Sequence, residues 1–143
     1  MSFITRLPIA HRGLHDGNQK TFENSMSAMR AAVEYGYAIE LDVQVSGDGV
    51  AMVFHDATLD RLTNQTGLVK DRDTEELQSI KLGKTNDTID TLEDVLLEIA
   101  GDVPVIIEMK GDGNAIDARA LAKSVASDLK KFLAGCLLNK GGY

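Results

Sequence analysis

The topology of the chain turns on Ile39-Glu40-Leu41-Asp42-Val43-Gln44-Val45, then Ser46-Gly47-Asp48-Gly49, then Val50-Ala51-Met52-Val53-Phe54-His55. Two apolar runs flank a glycine-rich break. Only four residues separate Val45 from Val50, whereas a parallel crossover needs a dozen or more, so the runs are expected to pair as an antiparallel hairpin. Asp48-Gly49 is the strongest short signal for a two-residue type I′ turn. In that register Gly47 faces Val50 and Asp42 falls opposite His55. Directly opposed residues share a face of the sheet. One face would then carry Leu41, Val43, Val45, Val50, Met52 and Phe54. The other would carry Glu40, Asp42, Gln44, Ala51, Val53 and His55, bringing two carboxylates beside a histidine.

Outward from the hairpin the same design recurs. Pro8-Ile9-Ala10-His11-Arg12-Gly13 and Val105-Ile106-Ile107-Glu108-Met109-Lys110 are short apolar runs with ionisable residues near their C-terminal ends. Strands are expected over residues 6–11, 37–45, 50–55 and 103–110, with prolines only near strand starts, where they are tolerated. Helices are expected over 91–100, opened by a capping box at Thr91-Leu92-Glu93-Asp94, and over about 114–133, capped by Asn114. A further helix, capped by Thr21 or Asn24, runs to about Tyr35, buries Met26, Met29, Ala32 and Val33, and stops at Gly36. Residues 57–90 read as polar and irregular, with a short helix at 74–80. Alternation of strands and helices implies a largely parallel α/β sheet.

Composition excludes several classes. With 143 residues, 43% hydrophobic and 26% charged, the chain is globular and large enough for one domain with a core. A net charge of −7 argues against nucleic acid as a partner. No apolar run approaches the roughly 18 residues of a membrane span, and the N-terminal residues do not form a signal peptide. The single Cys136, read as a small buried hydrophobe, allows no internal disulfide, which fits a reducing compartment, and cytoplasm is the expected location.

Glu40 and Asp42 lie two apart on a strand and point to one face. Carboxylates so close repel unless a cation sits between them, and a hard divalent ion with oxygen ligands is the natural solution. Glu108 repeats the geometry as a third ligand, with Lys110 beside it to hold a phosphate oxygen. Taken alone, that pair reads as a salt bridge at a strand end. His11 and Arg12 end the first strand: Arg offers a planar fork to phosphate oxygens, and His suits proton transfer near neutral pH. His55 gains from its predicted carboxylate neighbours, His15 reads as a loop residue near the site mouth, and Arg61 as the partner of a loop carboxylate. Glu23-Asn24 opens the first helix. Asn24 caps it, or either side chain faces the strand ends.

In order and spacing, His11-Arg12-Gly13, Glu23-Asn24-Ser25, Glu40-Leu41-Asp42-Val43, Asp48-Gly49, His55-Asp56, Thr58-Leu59-Asp60-Arg61-Leu62-Thr63, Thr91-Leu92-Glu93-Asp94 and Glu108-Met109-Lys110 resemble the glycerophosphodiester phosphodiesterases. The resemblance implies a TIM-type barrel that hydrolyses glycerophosphodiesters to glycerol 3-phosphate and an alcohol. It implies Glu40, Asp42 and Glu108 as ligands of Ca²⁺ or Mg²⁺, His11 and His55 as the acid–base pair, Arg12 and Lys110 near the phosphate, and Glu23 in the site. Phe22 stands where the family usually has Pro. Such barrels take about 250 residues, so residues 1–143 are expected to be the N-terminal portion of one barrel domain, truncated to about its first half with four strands. The chain is then expected to be weakly active or inactive alone and to self-associate through its open sheet edge. A lysophospholipase D-like enzyme and an inactive half-barrel are the alternatives.

Overall fold

The alternating face of β2 (Ala38–Val45) organises the molecule, which a computed structural model describes over residues 6–139, with side chains to residue 135. Three strands pair with β2. β1 (Ile9–His11) runs parallel to its first half, with Ile9, Ala10 and His11 level with Ala38, Ile39 and Glu40. β3 (Ala51–Val53) runs antiparallel to its second half. β4 (Val105–Met109) runs parallel along its middle, setting Asp42 level with Glu108. Ile39 and Glu40 pair with both β1 and β4, and Val43 pairs with both β3 and β4. A strand has two edges, so β1 and β3 lie end to end on one side of β2, with β4 on the other. The architecture is α/β with an open, mostly parallel sheet.

The helices begin where side chains satisfy free amides. α1 (Met26–Glu34) is capped by Ser25, whose Oγ accepts from the Ala28 amide at 3.1 Å. The expected caps, Thr21 and Asn24, do not serve, because Asn24 is engaged with Asp42. Gly36, at φ +68°, closes the helix. α2 (Thr74–Ser79) follows a 3₁₀ turn at Val69–Asp71. α3 (Leu92–Ile99) starts at Thr91, whose hydroxyl accepts from the Asp94 amide at 3.1 Å. α4 (Ala115–Asn139) follows Asn114, whose Oδ1 accepts from the Ile116 amide at 2.9 Å. It continues past the expected end near residue 133 because Gly135, though unfavourable inside a helix, does not forbid it. The side chain of Cys136 lies outside the described residues.

The hairpin forms, one residue out of the expected register. Val43 is level with Val53 and Val45 with Ala51, so Asp42 does not face His55. A type I′ turn needs positive φ at both Asp48 and Gly49; only Gly49 has it, at +83°. Side-chain bonds favour a three-residue loop instead. Ser46 Oγ donates to Asp48 at 2.6 Å and accepts from the Val50 amide at 2.9 Å. The Asp48 carboxylate also accepts from the amide and hydroxyl of Thr74, at 3.0 and 2.8 Å, tying the turn to α2.

The register divides the core in two. Ile39, Leu41, Val43, Val45, Ala51 and Val53 face α1, α3 and α4 and pack on Met29, Ala32, Leu92, Val95, Leu121 and Val125. On the other face, Met52 and Phe54 form the floor of a second cluster with Leu59, Leu62, Val69, Leu77 and Ile89 from residues 57–90. The expectation that Met52 and Phe54 share a face with Leu41 and Val43 is thereby corrected. The first strand is also shorter than expected and half-covered: Ala10 is buried, while Ile9 is 41% exposed on the open face. Among the described residues β4 pairs on one side only. On α4, Leu121 and Val125 are buried, but Leu129 is exposed.

Gly13 joins β1 to the first helix at φ +78°, and a Cβ there would stand 2.8 Å from Ala28 Cβ and 3.0 Å from its carbonyl carbon. Gly13→Ala is therefore expected to cost at least about 1–3 kcal/mol. Urea unfolding measures it; an unchanged midpoint would contradict the packing of β1 on α1.

Candidate active site

At the C-terminal end of the parallel strands, register alone assembles an acidic cluster. Glu40 and Asp42 lie on one face of β2, and Glu108 lies level with Asp42 on β4. Each offers an oxygen, the three lying within 4.8 Å of one another. Asp42 is 1% exposed. Its Oδ2 accepts from Asn24 Nδ2 at 2.9 Å, and its amide donates to Asn24 Oδ1 at 3.2 Å. Asn24 thus faces the strand ends, held there at φ +55°. Lys110 places Nζ 2.6 Å from Glu108 and 3.1 Å from Asp42. Glu108 foremost, with Asp42, raises the lysine's pKa.

Arg12 adopts φ +59°, which turns its amide onto Glu40 Oε2 at 3.0 Å. Its guanidinium reaches back to Glu23 Oε1 at 2.9 Å, with Nε 3.4 Å from Asp42. Glu23, 4% exposed, is the hub of a second array. It accepts from Arg61 at 2.9 and 2.6 Å and from Asn18 Nδ2 at 2.7 Å. Bonds from Arg61 chiefly, with Asn18 and Arg12, outweigh its burial and hold its carboxyl at about 2. Arg61 also binds Asp56, through Nε at 2.7 Å and a terminal nitrogen at 2.9 Å. Asp56 in turn lies 2.7 Å from His55 Nδ1.

The expected residues therefore fall into two groups. Glu40, Asp42, Glu108, Arg12 and Lys110 converge directly. His11, level with Glu40, is largely exposed and has Nε2 3.9 Å from that carboxylate. His55 is held through Asp56, and its carbonyl accepts from Gln44 Nε2 at 2.8 Å. His15 stays in its loop, where Nδ1 accepts from the Gly17 amide at 3.2 Å. Arg61 pairs with a loop carboxylate, as expected, and Asn24 takes the second of its two expected placements, facing the strand ends, where it binds Asp42. The second fork of Arg61, to Glu23, is unexpected, and no spacing rule signals it.

The donor set suits a divalent cation. All three ligand candidates offer oxygen; Glu40 Oε1 is buried without a hydrogen-bond partner, and Asp42 Oδ1, equally buried, has only the Lys110 ammonium, at 3.1 Å. Oxygen ligands with residual negative charge fit hard ions such as Ca²⁺ or Mg²⁺.

Fold and site thus define an α/β protein with an all-oxygen acidic centre at the C-terminal ends of parallel strands, the place where barrels and open α/β sheets carry chemistry. Residues 11–140 match the glycerophosphoryl diester phosphodiesterase family, and the chain belongs to it. A glycerophosphodiester phosphodiesterase from Caldanaerobacter subterraneus subsp. tengcongensis is 40% identical over 111 residues, covering 73% of this chain and 44% of the relative. An Oleispira antarctica phosphodiesterase, solved in complex with the product sn-glycerol-3-phosphate, superimposes with a TM-score of 0.78 at 29% identity, covering 92% of this chain and 56% of that one. The Thermotoga maritima glycerophosphodiester phosphodiesterase gives 0.71 at 31% identity, over 87% and 50%. The chain therefore spans about half the length of these relatives. Among the described residues no helix is long and apolar enough to cross a membrane.

Glu23 supplies a pH test. Its pKa falls from the ordinary 4.5 in the unfolded chain to about 2 in the fold. The unfolded state binds the proton more readily, so the contribution is full above pH 4.5 and is lost as pH falls towards 2. Thermal unfolding between those limits is expected to show a steeper acid loss in the wild type than in Glu23→Gln, which lacks the titrating group. Parallel acid limbs would contradict the Arg12–Glu23–Arg61 array.

Proposed function

We propose that this chain carries the catalytic half-site of a metal-dependent hydrolase that splits glycerophosphodiesters into glycerol 3-phosphate and an alcohol. The observation that carries the reading is the meeting of Glu40, Asp42 and Glu108 beside Arg12 and Lys110. The named activity of the Caldanaerobacter relative and the product held by the Oleispira enzyme support it.

Glu40, Asp42 and Glu108 would hold the ion, Ca²⁺ or Mg²⁺, whose chemistry is to withdraw charge from a phosphate oxygen and make phosphorus more electrophilic. Arg12 and Lys110 balance the remaining charge on the diester. One imidazole of His11 and His55 takes the proton of the attacking hydroxyl, from water or from the glycerol 2-OH. The other gives a proton to the departing alkoxide as its bond to phosphorus breaks. The burial and bonding of Asp42 by Asn24 keep its position fixed while charge moves. The chain would form the N-terminal portion of one TIM-type barrel, with the free edge of β4 receiving further strands or, failing these, a second copy. Cytoplasm is the proposed location.

Hydrolysis of glycerophosphocholine is expected to require added Ca²⁺ or Mg²⁺ and to stop with chelator. In a protein that carries this chain within a complete barrel, His11→Ala and His55→Ala are each expected to lower turnover by about 10²–10⁴-fold, the usual worth of a general acid or base. Calorimetric titration of the chain with each ion is expected to show binding that Asp42→Asn removes. Turnover indifferent to chelator would overturn the reading. Faster release of choline from lysophosphatidylcholine than from glycerophosphocholine would favour a lysophospholipase D.

A further inference from the structure

Arg61 sits between the two arms of the site, and its hydrogen bonds account for nearly all of its donors. A guanidinium has five N–H groups. Arg61 Nε donates to Asp56 Oδ2 at 2.7 Å and one terminal nitrogen to Asp56 Oδ1 at 2.9 Å, one planar fork. The same terminal nitrogen donates to Glu23 Oε1 at 2.6 Å, and the other to Glu23 Oε2 at 2.9 Å, a second fork. One N–H remains, too few for bidentate grip on a phosphate. Arg12 differs: one terminal nitrogen makes one bond to Glu23, its buried Nε lies 3.4 Å from Asp42, and its other terminal nitrogen makes no side-chain bond among the described residues. The two arginines of the site therefore have different tasks. Arg12 keeps donors for an anion, whereas Arg61 spends its donors on carboxylates.

Those carboxylates hold the two side chains that meet substrate in the proposed function. Asp56 Oδ1 lies 2.7 Å from His55 Nδ1, and Glu23 Oε1 2.9 Å from an Arg12 terminal nitrogen. We propose that Arg61 is a positioning residue that fixes His55 through Asp56 and Arg12 through Glu23, and that Asp56 sets the tautomer of His55. A carboxylate accepts only, so Nδ1 of the neutral ring carries the proton and Nε2 presents its lone pair to the reaction. Free imidazole side chains favour the opposite form. The acid–base residue and the phosphate-binding residue are thus coupled through one guanidinium, although no bond joins them directly. Lysine cannot replace it, because a point ammonium cannot form two forks at once.

This inference rests on the acid–base role of His55, and its test separates the two. Long-range proton–nitrogen correlation spectra of the metal-free chain, taken where His55 is neutral, are expected to show it protonated at Nδ1. In Asp56→Asn, Arg61→Lys and Arg61→Met the signals are expected to move to the Nε2-protonated form, while those of His15 stay unchanged. Circular dichroism confirms that each variant is folded; if Arg61→Met is not, Arg61→Lys, which keeps the charge, decides. With glycerophosphocholine, Arg61→Lys is expected to lower kcat by about 10²-fold, the cost of roughly 1 Å of misplacement. An Nε2-protonated His55 in the wild type, or a tautomer unmoved in folded Arg61→Lys, would overturn the proposal. The expected tautomer in the wild type and its shift in the Arg61 variants, together with full activity in His55→Ala, would instead overturn the acid–base role of His55 and leave the positioning geometry standing.

Discussion

Burying a carboxylate costs several kcal/mol unless its charge is balanced and its oxygens are bonded, and Asp42 is 1% exposed in the middle of the sheet. Much of the local structure answers that demand. Asn24 occupies a left-handed backbone conformation and clasps Asp42 by both amide and carboxylate. Its neighbour Ser25 can then cap α1, which fixes where that helix begins. Arg12, also left-handed, brings Nε to 3.4 Å from Asp42, and Lys110 brings Nζ to 3.1 Å. Backbone conformations of this kind cost on the order of 1–3 kcal/mol each and persist only where the surroundings dictate them. Two of them on either side of one buried carboxylate mark the position to which the first helix, the first strand and the last strand are all referred.

The charge around Asp42 is nevertheless not closed within the protein. Among the described residues, Glu23, Glu40, Asp42, Asp56 and Glu108 face three permanent cations, Arg12, Arg61 and Lys110, besides the imidazoles of His11 and His55. The excess lies at the strand ends and not around Glu23, whose carboxylate is gripped by two arginines. The protein has thus separated a satisfied array from an unsatisfied one within a few side chains. The first provides rigidity. The second leaves Glu40 Oε1 buried without a hydrogen-bond partner and Asp42 Oδ1 with Lys110 alone, so that carboxylate oxygens stay available to a hard cation.

How far this was legible in the sequence depends on the range of the interaction. Placement two apart on a strand fixes a shared face, so the pairing of Glu40 with Asp42 followed from numbering alone. The inclusion of Glu108 rested on its repeated spacing and on the family resemblance, since Glu108 and Lys110 alone read as a salt bridge; that it stands level with Asp42 came from the strand register. Helix starts at Thr91 and Asn114 were readable from capping chemistry, whereas Ser25 was hidden because Asn24, the better-looking cap, had a stronger claim on it. The hairpin register was not readable. Residues 50–54 are apolar without a break, so polarity gives no alternation to choose between registers. The choice fell to Ser46 and Asp48 side-chain bonds with Val50 and Thr74. Arg61 meeting Glu23 is a contact across 38 residues, to which local pattern is blind.

That single residue of register has consequences well beyond the turn. It places Met52 and Phe54 on the carboxylate face of the sheet, where they carry Leu59, Leu62, Val69 and Leu77. Without that floor, the apolar side chains of residues 57–90, Leu82 and Ile89 among them, would have no sheet surface to pack on. In the register that the Asp48-Gly49 pair suggests, Met52 and Phe54 would enter the core beneath the helices, and the second cluster would lose its base. Leu59 and Leu62 flank Arg61 in the chain, and both are buried in that cluster. Their seats determine where the guanidinium emerges, and hence that it reaches Asp56 and Glu23 together. An offset set by a serine and an aspartate in a turn thus passes, through apolar packing, to the ion pairs that orient His55 and Arg12.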